Sequence, residues 1–209
     1  MPAPNPLTTM RLPSALRRRL DVATAAAQEA LIDAHAEEAL RLVALVGHDW
    51  SFSEAISYYF DEMSITGPLA TSVRNRALVR LESDRSAGGR FPGDEADEDD
   101  DRFTWDSIRP DRLVKQVRRR QRRHAETERL AMLVLAQAEE AMLGVHVDNA
   151  LDFIALLDEE MSPDRAVSYY VDAIGVSGCR AQAVVQRTMV RVADALLEPH
   201  EAPRGGIAR

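Results

Sequence analysis

This sequence has a single cysteine, Cys179, so it can form neither an internal disulfide nor a metal site built from several thiolates. Only 5% of the 209 residues are aromatic, and lysine occurs once although the chain has 26 basic residues. No uninterrupted apolar run approaches the about 20 residues of a membrane-spanning helix, and the first residues lack the basic-then-apolar pattern of a signal peptide. These absences predict a cytoplasmic protein without a membrane partner.

What the chain does contain is an internal repeat. Residues 25–81 align without a gap on residues 136–192, and 21 of the 57 aligned pairs are identical. The densest match pairs the segment 55–61, Ala-Ile-Ser-Tyr-Tyr-Phe-Asp, with the segment 166–172, Ala-Val-Ser-Tyr-Tyr-Val-Asp. Because both copies must bury similar faces, the repeat predicts two similar structural units.

The net charge of −8 comes almost entirely from one segment. Residues 82–108 have 3 basic and 10 acidic side chains, whereas residues 1–81 have 8 and 9 and residues 109–209 have 15 and 15. Seven of the eight residues in 94–101 are acidic, and such a block cannot bury apolar area. The repeat units are therefore close to neutral, so the overall acidity does not exclude a polyanionic partner.

The apolar spacing predicts an all-α fold: a tandem duplication of a three-helix unit, with second and third helices that resemble a helix-turn-helix. In the first copy we expect helices over Ser14–Val46, Phe52–Met63 and Pro68–Leu81, with Ser51 as a capping residue. In the second we expect them over 111–157, 163–174 and 179–197, with Ser162 as the cap. The predicted organisation is a disordered N-terminus (1–10), a first unit (11–81), an acidic linker (82–110), a second unit (111–198) and a disordered tail (199–209).

The turn between the second and third helices favours DNA binding. A helix-turn-helix needs a small residue at the turn, then an aliphatic residue and a Ser or Thr cap. Both copies satisfy this pattern, with Ser64-Ile65-Thr66 in the first and Gly175-Val176-Ser177 in the second. In both copies a bulky residue, Phe60 or Val171, occupies the position four before the turn, where alanine is usual.

Residues 162–178, Ser-Pro-Asp-Arg-Ala-Val-Ser-Tyr-Tyr-Val-Asp-Ala-Ile-Gly-Val-Ser-Gly, and the equivalent segment of the first copy resemble small haloarchaeal helix-turn-helix regulators. Those regulators continue into a second Gly-Val-Ser turn, which this chain lacks. The resemblance implies a transcriptional regulator whose third helices read double-stranded DNA.

A basic segment provides a second signal for a nucleic-acid partner. Residues 109–123 have eight basic side chains and one acid, which is a credible footprint for a polyanion. The predicted nucleic-acid contacts combine this segment with the third helices. They are Arg74, Asn75, Arg76, Arg80, Arg112, Lys115, Arg118, Arg119, Arg120, Arg122, Arg123, Arg180, Gln182, Gln186, Arg187 and Arg191.

The repeated arginines have two open interpretations. Arg76 and Arg80, like Arg187 and Arg191, are four residues apart, so each pair is strained unless an anion lies between its members. That anion is a DNA phosphate in one interpretation. In the other it is an internal acid, for which Asp61 and Asp172 are the repeated candidates, and the chain is a helical protein-interaction or scaffold module.

Metal and catalytic sites are not predicted. His35 and His146 are equivalent in the repeat, but neither has an equivalent second ligand in both copies. Packed histidines are the favoured interpretation, and no glycine-rich phosphate loop, nucleophile elbow or zinc spacing occurs. The chain is therefore predicted to be non-enzymatic, without cofactor or metal, and to bind DNA as an intramolecular pseudo-dimer.

Overall fold

The computed structural model describes residues 13–47, 49–86, 110–157 and 160–197, with side chains from residue 122 onward in the third range. Within these ranges the chain is helical and has no strand, which confirms the all-α prediction. The helices are α1 (Ser14–Val46), α2 (Phe52–Glu62), α3 (Gly67–Ser86), α4 (Pro110–Leu157), α5 (Pro163–Ile174) and α6 (Gly178–Leu197). The predicted N-terminus (1–10), tail (199–209) and most of the linker lie outside the described residues.

The capping residues of α2 and α5 behave differently. Ser51 accepts a hydrogen bond from the backbone N–H of Glu54, whose side chain accepts from the backbone N–H of Ser51, so the predicted capping box is confirmed. Ser162 is the N-cap residue of α5 and Pro163 follows it in the first turn, so the predicted cap position is confirmed, but its side chain makes no capping hydrogen bond. Its hydroxyl donates instead to Asp164 and lowers the pKa of that carboxyl.

Two helices extend into the segment predicted as linker, and three other helix limits differ from the prediction by one residue. Helix α3 continues to Ser86, into the segment predicted as linker. The hydroxyls of Ser83 and Ser86 donate to the carbonyls of Val79 and Glu82, one turn earlier, and so lie along the helix rather than in a turn. At the other end of the predicted linker, α4 begins at Pro110 and includes the backbone of the basic segment.

The turns between second and third helices are built alike. Ser64 and Gly175 have positive φ angles of 57° and 77°. The next residues, Ile65 and Val176, donate backbone hydrogen bonds of 2.8 and 2.9 Å to the carbonyls of Phe60 and Val171. This is the hydrogen-bond pattern of a Schellman motif, so α2 and α5 end in the same way. Ser64 holds in the first copy a conformation that Gly175 adopts without a Cβ penalty.

The chain forms two compact units that do not follow the two sequence copies. Unit 1 combines residues up to Ala30 with residues from Leu143 onward, and unit 2 comprises Leu31–Met142. Each unit therefore contains the second and third helices of one copy, the end of its long helix, and the leading part of the long helix from the other copy. The copies are interlocked within each unit.

The core of unit 1 shows how this works. Leu16, Leu20 and Ala27 of α1 lie in one buried cluster with Phe153 and Leu157 of α4. The same cluster continues onto α5 and α6, and its remaining buried members are Ala150, Ala166, Val167, Tyr170, Val171 and Val184. The first half of α1 thus buries its apolar stripe among residues of the second copy.

Unit 2 has the reciprocal arrangement. The hydroxyl of Thr127 in α4 donates to the carboxylate of Asp49, which follows α1. The hydroxyl of Tyr58 in α2 lies 3.4 Å from the sulfur of Met132. The Trp50 ring is 6.4 Å, centroid to centroid, from the ring of His124. The first part of α4 therefore contacts the first copy.

Residues 122–157 of α4 are, by length and composition alone, apolar enough to cross a membrane. Charged residues interrupt this part of α4, so it contains no uninterrupted apolar run of membrane-spanning length. Core helices of globular proteins have the same property, and Phe153 and Leu157 are buried in the core of unit 1. We interpret this part of α4 as a core helix.

The interlocked cores predict what happens when the chain is cut between its halves. A protease recognition site placed between residues 87 and 109 of the full chain will allow cleavage into two fragments. We expect the fragments to elute together with the mass of the intact chain, because each unit requires segments from both. In denaturant they will separate. Two fragments that elute separately while each keeps its helical circular dichroism would contradict the interlocked fold.

Candidate nucleic-acid interface

The third helices are held against the long helices by ion pairs. In unit 2, Nη1 of Arg76 and Nη2 of Arg80 lie 2.5 and 2.8 Å from the same carboxylate oxygen of Asp33 in α1. Arg80 also lies 4.0 Å from Glu37. The anion required between the two arginines is therefore an acid of the protein, but it is Asp33 and not the predicted Asp61.

Unit 1 has a related ion pair with a different acid. Nη1 of Arg191 in α6 lies 2.6 Å from the carboxylate of Asp148 in α4. Asp148 is the repeat equivalent of Glu37, while Asp33 is replaced by Gly144. The arginine is retained and the acid has moved by one helical turn. Asp33 could not be predicted from the repeat, because no acid occupies the equivalent position in the second copy.

A buried histidine–tyrosine pair connects the long helix to the second helix in each unit. The Tyr59 hydroxyl lies 2.9 Å from Nδ1 of His35, and the Tyr170 hydroxyl lies 2.8 Å from Nδ1 of His146. All four residues are at least nine-tenths buried. The rings within each pair meet edge to face, with centroids 6.1 Å apart. The histidines are packed, as the sequence favoured.

The titration of the second pair is strongly shifted. Burial, assisted by the charge of Arg180, lowers the pKa of His146 to about 4. Burial also raises the pKa of Tyr170 to about 12, against a smaller opposite effect from the amide of Asn149. At neutral pH the ring is therefore uncharged and the hydroxyl protonated. With the ring proton on Nε2, the uncharged Nδ1 accepts a hydrogen bond from such a hydroxyl, so in that tautomer the pair is complementary.

The other buried polar side chains differ between the copies. Glu38 is buried, and burial raises its pKa although Arg41 lies 3.0 Å from its carboxylate. Its repeat equivalent is Asn149, and the equivalent of Ala77 is the fully buried Thr188. Among the described residues, no cluster of three or more histidine, cysteine, aspartate or glutamate side chains has metal-binding geometry.

The outer faces of the third helices hold the remaining predicted contacts. Arg74 and Asn75 of α3 are exposed, and the Arg74 guanidinium lies 5.8 Å from the centre of the Phe60 ring. On α6, Gln182, Gln186 and Arg187 are exposed, whereas Arg180 is half-buried near His146. The helices therefore present amide and guanidinium groups to solvent after turns of the same geometry.

The basic segment supplies a second exposed group. Arg122 and Arg123 of α4 are exposed in unit 2, and Arg17, Arg18 and Arg19 of α1 are exposed in unit 1. The side chains of Arg112, Lys115, Arg118, Arg119 and Arg120, although on the helical backbone of α4, are outside the described residues. Each unit thus combines a third helix with the basic leading part of the other copy's long helix.

No family model, curated protein or solved structure matches this chain. The arrangement of its own side chains is therefore the basis for a functional conclusion.

The low pKa of His146 predicts an acid-sensitive fold. The unfolded chain protonates this histidine near pH 6.5, whereas the folded chain resists protonation down to about pH 4. Between these values the unfolded state binds more protons, so the free energy of unfolding will fall as the pH falls, by roughly 3 kcal/mol in total. Urea denaturation from pH 4 to pH 7 measures this change. The His146→Gln variant is the control, and an identical pH dependence in both proteins would contradict the assignment.

Proposed function

We propose that this protein binds double-stranded DNA as an intramolecular pseudo-dimer and acts as a transcriptional regulator. In this proposal α2 and α3, and likewise α5 and α6, serve as two helix-turn-helix elements derived from the tandem repeat. The third helices enter the major groove, while the basic leading parts of α4 and α1 contact the phosphate backbone. No catalytic step, cofactor or membrane is part of the proposal.

One observation supports this function above the others. In each unit, a third helix with exposed amide and guanidinium groups belongs to the same compact body as exposed arginines from the other copy. Arginine, asparagine and glutamine are the side chains that pair with base edges, and clustered arginines neutralise phosphates. The interlocked fold thereby brings into one unit the helix that we propose to read bases and the arginines that we propose to contact phosphates, which are distant in sequence.

The ion pairs narrow the set of DNA contacts. Arg76 and Arg80 are engaged by Asp33, and Arg191 by Asp148. We assign these three arginines to the positioning of the third helices. Arg187 also has an interaction within the protein and is set aside with them. The proposed contacts are then the other exposed polar side chains of α3 and α6 together with the basic segment: Arg74, Asn75, Gln182, Gln186, Arg112, Lys115, Arg118, Arg119, Arg120, Arg122 and Arg123.

A protein-interaction module is the second candidate. The observation that favours it is the presence of exposed apolar side chains on the third helices, Val79 and Leu78 on α3 and Val190 on α6, beside arginines that already have internal partners. In this alternative the third helices dock on another protein or on a second copy of the chain, and no nucleic acid binds.

Salt dependence separates the two candidates. Binding to a fluorescent 30-base-pair duplex is measured by anisotropy at a series of salt concentrations. If the basic segment neutralises phosphates, log K will fall linearly with log[salt], with a slope of about −0.9 for each phosphate contacted. The triple substitution of Arg118, Arg119 and Arg120 by alanine will weaken binding to all sequences. Arg129→Ala, an exposed arginine farther along α4, is the matched control. Absence of binding at micromolar protein and low salt would refute the proposal.

Neighbouring arginines of α3 test the narrowed set of contacts. Arg74→Ala removes an exposed guanidinium and will lower DNA affinity severalfold, with little effect on stability. Arg76→Ala removes a partner of Asp33 and will leave affinity nearly unchanged, while lowering the free energy of unfolding by at most about 1 kcal/mol, since the pair is partly exposed. Anisotropy and urea denaturation provide the two readouts. An equal loss of affinity in both variants would show that Arg76 also contacts DNA.

A further inference from the structure

The third helices share an exposed stripe that neither the core nor the ion pairs use. On α3 it consists of Thr71, Asn75 and Val79, and on α6 of the equivalent residues Gln182, Gln186 and Val190. All six side chains are exposed, and the two valines have exposed fractions of 60% and 53%. Residues four apart lie on the same side of a helix, so each set forms one continuous face. We call this face the outer stripe.

The outer stripe has similar residue types in both copies, although these side chains are exposed. An exposed valine contributes nothing to the core, and it lowers helix propensity because it is β-branched. Yet Val79 and Val190 are identical, while their neighbours Leu78 and Met189 differ. One turn before each valine stands an amide, Asn75 or Gln186. The repeated unit is therefore an amide followed four residues later by an exposed valine.

This combination matches the groups that an A·T base pair presents in the major groove. Adenine offers N7 as an acceptor and N6 as a donor, which one Asn or Gln amide satisfies with two hydrogen bonds. Thymine offers its C5-methyl group, which an apolar side chain contacts. A helix that docks in a protein groove instead presents apolar residues at i, i+3, i+4 and i+7. In the outer stripe the positions four and eight residues before each valine are polar instead.

We propose that each third helix recognises a half-site that contains A·T pairs, read through the major groove. The amides of Asn75 and Gln186 bind adenine, and the methyl groups of Val79 and Val190 contact thymine methyl groups. Because both copies carry the same pair of residue types, the full site has two half-sites of similar composition. This inference rests on the proposed DNA binding and specifies what that binding recognises.

The test uses the full-length chain and three pools of 30-base-pair duplexes of random sequence. One pool has only A·T pairs, one has only G·C pairs, and the third is the A·T pool with deoxyuridine in place of thymidine. Affinities are measured by fluorescence anisotropy at one fixed salt concentration. We expect about tenfold tighter binding to the A·T pool than to the G·C pool, which is the discrimination of one good bidentate contact. Loss of a contacted thymine methyl will weaken binding about fourfold.

Two double variants identify the residues responsible. Asn75→Ala with Gln186→Ala will remove the preference for A·T pairs while binding to the G·C pool persists. Val79→Ala with Val190→Ala will remove the difference between thymidine and deoxyuridine. The matched control is Gln28→Ala with Gln137→Ala, which removes one exposed amide from each unit outside the outer stripe. Thermal unfolding checks that all variants fold as the parent does.

The outcomes separate this inference from the proposed function. Binding that is equally tight to the A·T and G·C pools overturns the inference and leaves DNA binding intact. A preference for A·T pairs that survives both double variants also overturns it, because the recognition then lies elsewhere, for example in arginines in a narrow minor groove. Absence of binding to every pool overturns both proposals.

Discussion

The rest of this structure depends on the way each long helix divides its apolar surface between two cores. The first half of α1 buries Leu16, Leu20 and Ala27 in unit 1, and the second half buries its own stripe in unit 2. A helix of about 17 residues is marginal in water without tertiary contacts, so the leading half needs a core to join. That core belongs to the other copy. Neither copy contains all the surfaces that a complete unit requires.

This constraint explains which residues are identical in the two copies and which differ. The histidine–tyrosine pairs and the arginines that follow them are identical in both copies, because they position the second and third helices on the end of the long helix. The acid that meets Arg80 is Asp33, whereas the acid that meets its equivalent Arg191 is Asp148. The arginine side chain is long enough for its guanidinium to reach an acid at either of these two positions of the long helix. The fold therefore requires a carboxylate nearby but does not fix its position.

Much of the local structure could be predicted from the sequence because local chemistry determines it. The limits of α1, the capping box at Ser51 and the paired turns at Ser64 and Gly175 all follow from short-range patterns. The cap position of Ser162 follows from the same patterns, but its hydroxyl donates to Asp164 and makes no capping hydrogen bond. The interlocking could not be predicted, since the apolar stripe of α1 has the same pattern whichever copy it packs against.

Local patterns also predict which candidate residues are exposed, but not which of them have internal partners. Exposed side chains such as Arg74, Gln182 and Gln186 lie on the outer helical face that periodicity assigns to them. The internal ion pairs of Arg76 and Arg80 could not be predicted from the sequence. Their partner Asp33 lies 43 residues before Arg76 and has no counterpart in the second copy. The interlocking also places the basic leading part of each long helix in the same unit as a third helix of the other copy.

The interlocked core is tested most directly by nuclear Overhauser effects from the methyl groups of Leu20 in the full-length protein. Leu20 is almost completely buried and is separated in sequence by more than a hundred residues from the members of its cluster in α4, α5 and α6. The account predicts effects between these methyl groups and buried side chains of α4, α5 and α6, with Phe153 and Val167 among the candidates. Effects confined to residues 31–86, the remainder of its own copy, would contradict it.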